Sequence, residues 1–141
     1  MNKKRFFLFV FLGLIILLFG IIKVGIGGNK YLDEEYRVQE TVINTFDLRD
    51  DNLKPLFMRD IFDDQMAKES PDIRGKVVDA IEQLTENNEM VKGDFKPIIF
   101  LKGNDKVLIG IKHQDNTITL HEFDITGEKP VKVDKQQKEA K

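Results

Sequence analysis

The chain has no cysteine among its 141 residues. That excludes disulfides, thiolate metal sites, thiol nucleophiles and a lipid-modified N-terminal cysteine. An exported domain built this way must be held together by its core alone. Tryptophan is also absent, and histidine occurs only at His113 and His121. Alanine does not appear before Ala67, so the A-x-A pattern of a cleaved secretory signal is missing. Arginine is scarce, five against seventeen lysines, a balance expected of a bacterial chain encoded by an AT-rich genome.

What is abundant sits at the start. Lys3, Lys4 and Arg5 precede seventeen uncharged, mostly large apolar residues, Phe6 to Ile22, and Val24 to Gly28 continue the run past Lys23. Seventeen helical residues span roughly 25 Å, close to the ~30 Å hydrocarbon layer of a bilayer. Lys23 can snorkel to the headgroups. The expectation is an uncleaved transmembrane helix within residues 1–28, with the N-terminus cytoplasmic by the positive-inside rule and the following chain outside. The alternative is a signal peptide cut after Gly27, with Gly25 two residues before the cut.

Residues 29–127 carry thirteen Lys/Arg and twenty-one Asp/Glu, a net charge of −8, and residues 128–141 carry +2. An acidic body repels phosphate backbones, which disfavours nucleic acid as a partner. The expected organisation is an extracytoplasmic domain over 29–127 and a lysine-rich, disordered tail over 128–141. The tail is too polar from Asp134 onward to bury anything.

Within the domain, Leu32, Tyr36, Val42, Ile43 and Phe46 recur at helical spacing and predict a helix over Tyr31 to Phe46. A second helix is predicted from Asn52, with Pro55 in its first turn and Leu53, Leu56, Phe57 and Ile61 on its apolar face. Ser70-Pro71 opens a third, which Asn87-Asn88 ends. The period then changes. Ile98 to Leu101, Lys106 to Lys112 and Thr117 to Phe123 predict strands, with Val131 to Val133 able to add a short edge. Taking Gly103-Asn104 and Asp115-Asn116 as two-residue hairpin turns sets Phe100 opposite Val107, Ile98 opposite Ile109, Ile111 opposite Leu120 and His113 opposite Ile118. One face then holds Ile98, Phe100, Val107, Ile109, Ile111, Ile118 and Leu120. Helices first and a meander after is an α+β pattern, about three helices packed on a three- to four-stranded antiparallel β-meander behind an N-terminal transmembrane helix. The element order over Tyr31 to Ile125 resembles small exported domains of the cystatin-like and NTF2-like class, which implies a helix packed in the curve of an antiparallel sheet.

No motif assigns a catalytic, cofactor-binding or metal-binding residue. The acids Asp47, Asp50 and Asp51, and Asp60, Asp63 and Asp64, lack the spacing and central glycine of a calcium loop and are expected to form a solvated face and compensate helix-end charge. In the predicted register His113 and His121 point to opposite faces, with His121 opposite Gly110, so both read as surface residues. Ser70 reads as a helix cap rather than a nucleophile. Gly25, Gly27 and Gly28 follow no strand and form no phosphate loop. The functional expectation is therefore non-enzymatic and without a cofactor: a single-pass membrane protein presenting a small acidic domain as an interaction or accessory subunit of a bacterial envelope complex. Its partners would be the lipid bilayer, through residues 6–28, and an envelope protein. A secreted binding or inhibitor protein, and a small pocket enzyme of NTF2-like type, are the alternatives.

Overall fold

A computed structural model describes residues 33–50 and 52–141. The chain divides into a unit Met1–Tyr36, of which the described residues 33–36 are helical, and a unit Arg37–Lys141 that carries everything below. The expected membrane segment, residues 1–28, lies outside the described residues. Among those described, no helix is long and apolar enough to cross a membrane.

Helix α1 covers residues 33–46. Its buried stripe is Val38, Val42 and Phe46, spaced by four. Tyr36, expected on that stripe, is exposed. A 3-10 turn, Leu48–Asp50, follows.

The predicted second helix does not start at Asn52. Leu53–Leu56 is instead strand β1, and two short helices follow, α2 at Met58–Ile61 and α3 at Asp64–Glu69. Pro55 accounts for the difference. A proline drives the residue before it out of the helical region, and it is tolerated in a sheet only where its missing N–H is not needed, such as an edge. Helix α4 runs Pro71–Glu86 with proline in its first turn, and Asn88 takes a left-handed conformation (φ 54°) just past its end.

Strands β2 (Ile98–Lys102), β3 (Lys106–Lys112), β4 (Thr117–Asp124) and β5 (Val131–Glu139) complete a five-stranded antiparallel sheet in the order β1-β2-β3-β4-β5. The α+β class is thus seen as helices packed with an antiparallel sheet. Residues 131–139, expected to lie in a disordered tail, form the longest strand. It buries none of its side chains fully and is held by its backbone ladder to β4.

Both hairpin registers differ from expectation by one residue. Lys102 pairs with Lys106 across a three-residue loop, so Phe100 faces Leu108 and Ile98 faces Gly110. Lys112 pairs with Ile118, and His113 N–H donates to the Thr117 carbonyl at 2.9 Å. That loop is Gln114–Asn116, with Asn116 left-handed at φ 68°, the form a three-residue hairpin takes when a type I turn is followed by a left-handed residue. A one-residue slip sends side chains to the opposite face.

The apolar residues therefore divide between two faces. Ile98, Phe100, Leu108, Ile118 and Leu120 pack with Val38, Val42 and Phe46 of α1. Ile99, Leu101, Val107, Ile109, Ile111 and Phe123 pack with Val77, Ala80 and Leu84 of α4 and Ile61 of α2. The sheet is covered by helix on both sides, whereas the cystatin-like and NTF2-like resemblance implied a helix packed on one.

Candidate functional site

The connection from α4 to β2 folds back over the α4 face of the sheet. Glu89 N–H donates to the Leu84 carbonyl at 2.8 Å, and Phe95 N–H to the Lys112 carbonyl at 3.0 Å. Gly93 allows this path. Its φ is 103°, a backbone conformation that favours glycine, and the end of the Gln114 side chain fills the space a Cβ would take, 2.1 Å from that position. Gln114 in turn donates to the Lys92 carbonyl at 3.3 Å.

This brings two acids of the connection against two histidines of the sheet. The Asp94 carboxylate, 3 % exposed, lies 3.1 Å from His113 Nδ1 and also accepts from Val91 N–H at 3.0 Å. His113 Nε2 lies 2.8 Å from Thr119 Oγ1. Two residues further along β4, His121 is wholly buried and neither ring nitrogen has a hydrogen-bond partner. Its Nδ1 is 3.6 Å from Glu89 Oε2. Glu89 receives two lysines of the edge strand, Lys132 at 2.5 Å and Lys135 at 3.2 Å. A shallow, open depression of about 620 Å³ lies over this region, lined among others by Glu89, Asp94, His113, Thr119, Lys135 and Gln137.

Burial holds the His121 imidazole down to a pKa of about 4, against an ordinary 6.5. The nearby Glu89 charge opposes that shift, and Lys132 and Lys135 add to it. Burial alone would raise the Glu89 carboxyl, but hydrogen bonds from Lys132 and Lys135 and the nearby His121 together bring it below the ordinary value. Near neutral pH the cluster is a neutral imidazole beneath a carboxylate shared by two ammonium groups.

An acid, an imidazole and a hydroxyl in line is the order used for nucleophilic catalysis. Here Thr119 is 3 % exposed, and its hydroxyl is engaged by His113 Nε2. The line ties the α4–β2 connection to the sheet, as fully partnered buried polar groups do.

The histidines depart from the sequence expectation. His121 pairs with Ile109 rather than Gly110 and is buried rather than exposed. His113 is engaged through both ring nitrogens, and its partner Thr119 is on the same sheet face as His121. Asp60 accepts the Phe57 N–H at 3.2 Å, and Asp63 caps α3 by accepting the Gln65 N–H at 3.1 Å. These acids belong to two short helices, not one. Asp47 has a left-handed backbone just past α1, Asp50 ends the 3-10 turn, and Asp51 lies outside the described residues, as do Gly25, Gly27 and Gly28. Among the described residues no three acids or histidines converge where a cation could sit. Ser70 joins α3 to α4, but its side chain makes no capping bond. Glu89, Asp94, Thr119, Lys132 and Lys135 carried no signal in the sequence, because each gains its role from a partner distant along the chain.

No protein-family model, curated protein or solved structure matches this chain.

Proposed function

We propose that this is a single-pass membrane protein that presents an acidic α+β domain outside the cytoplasmic membrane and works by contact with another envelope protein, not by catalysis. The observation that carries the reading is the uncharged run Phe6 to Ile22 behind Lys3, Lys4 and Arg5, which suits an anchored helix with a cytoplasmic N-terminus. The domain supports a non-enzymatic role through what its polar groups are doing. Asp94, His113 and Thr119 satisfy one another, Glu89 is occupied by two lysines, and Asp60 and Asp63 cap helices.

Alkaline extraction of membranes from cells expressing the full chain tests the anchor. The protein should stay in the membrane fraction and keep its original N-terminus. A soluble product beginning at Gly28 would instead favour the secreted binding protein, for which Gly25 and Gly27 are the supporting residues. A variant with Leu14→Lys and Ile15→Lys should leave the membrane fraction, since charges near the centre of a span cost about 2.5–3.5 kcal/mol each.

A further inference from the structure

We infer that Glu89 and His121 form an acid-released latch on the first half of edge strand β5. Glu89, on the α4–β2 connection, holds Lys132 and Lys135 of β5 across more than forty residues of chain. The carboxylate also stands 3.6 Å from a buried imidazole whose two nitrogens have no hydrogen-bond partner. One carboxylate thus lies between two sets of cations, of which only one is charged near neutral pH.

The charged and titratable groups around His121 are Glu89 on the connection, Lys132 and Lys135 on β5, and His113 at the end of β3. Helix α4 meets this face of the sheet with the apolar Val77, Ala80 and Leu84. A proton on His121 therefore has one carboxylate to turn to. Glu89 needs to move only a fraction of an ångström to reach hydrogen-bond distance from Nδ1. The new cation then repels Lys132 and Lys135 from the same carboxylate.

The two ends of β5 are held differently. At the far end, Ala140 N–H donates to the Asn116 carbonyl at 3.0 Å and Lys141 N–H to Thr45 Oγ1 at 3.1 Å. At the near end the ladder is interrupted by a bulge at Glu122/Phe123, Val131 and Val133 are exposed, and the lysine pairs to Glu89 are the side-chain tie, with Gln83 donating to the Pro130 carbonyl just outside the strand at 3.1 Å. Loss of the lysine pairs opens the near end while the far end and the central strands stay paired. Local opening of this kind needs far less free energy than global unfolding.

Amide hydrogen exchange on the full chain in detergent micelles, corrected for intrinsic rates, tests the latch. Between pH 6.5 and 4 the β5 amides from Lys132 to Gln136 that are protected at neutral pH should lose protection by about tenfold per pH unit, as expected when opening is coupled to one proton. Amides of β3 and of Lys138 to Ala140 should stay the better protected at every pH, because they exchange through larger openings. His121→Phe should abolish the acid effect, and Glu89→Gln should open the same segment at neutral pH. Protection of the segment that does not change with pH, or that equals the protection of β3 throughout, overturns the proposal. So does acid release that persists in His121→Phe, which would assign the effect to protonation of Glu89 itself. Should His121→Phe fail to fold, normal β5 protection in Glu89→Gln at neutral pH would overturn it alone.

Discussion

Val42 on α1 and Gly110 on β3 meet so closely that a Cβ on the glycine would stand 2.9 Å from Val42 Cγ1. Helix α1 crosses its face of the sheet over the one β3 position without a side chain. Gly110→Ala should therefore destabilise the fold by about 1–3 kcal/mol through overpacking, read as a lower urea midpoint. Combining it with Val42→Ala should cost less than the sum of the two single changes. Strict additivity would mean that α1 does not pack there.

Coverage of both sheet faces makes a second prediction. Phe100 is buried on the α1 face and Ile109 on the α4 face. Phe100→Ala should cost roughly 3–5 kcal/mol and Ile109→Ala roughly 2–5 kcal/mol. Either is a large fraction of the ~5–15 kcal/mol that a domain holds. Denaturation of a truncation to residues 33–141 reads both. A near-normal melt for either variant would show that its face is not covered.

The sequence expresses some of this architecture and conceals the rest for identifiable reasons. The helical spacing of Val42 and Phe46, the Ser70-Pro71 start and Asn87-Asn88 stop of α4, and the bounds of β3 are local signals that the fold follows. The register is concealed because Gly103-Asn104 and Asp115-Asn116 each look like a two-residue turn, whereas both loops use three residues. The near-continuous apolar runs Ile98 to Leu101 and Val107 to Leu108 already carried the sign of a sheet buried on both faces. Strand β5 has almost no apolar residue to announce it, since its pairing is a backbone matter. The polar cluster depends on Glu89, Asp94 and Lys132 meeting residues far along the chain, which no local pattern records.

Stability should depend on pH through His121. Its folded pKa of about 4 lies below the ordinary 6.5, so the unfolded chain takes up the proton first. The neutral buried ring contributes fully above pH 6.5, and that contribution is lost as pH falls toward 4, by roughly 3 kcal/mol in all. Urea denaturation across this range should show the decline, and His121→Phe should flatten it. A profile of the same slope in the variant would place the titrating group elsewhere.

Calcium separates the two uses of the acidic clusters. Asp60 and Asp63 are committed to helix starts, and a calcium site needs six to eight oxygens at about 2.3–2.6 Å. Millimolar calcium should shift melting no more than magnesium does, through screening of the acidic body. Asp63→Ala should cost about 0.5–2 kcal/mol as a lost cap. A large calcium-selective shift, abolished by Asp63→Asn with Asp64→Asn, would make the acidic face a metal site.

Whether the domain stands outside the membrane on an uncleaved anchor, as we propose, is read from the side on which Lys141 lies. Two reporters fused after Lys141 of the full chain, one active only in the cytoplasm and one only outside, should give signal from the outer reporter alone, on a protein that stays in the membrane fraction. A strong cytoplasmic signal from the fusion would place the domain inside the cell and reverse the proposed topology.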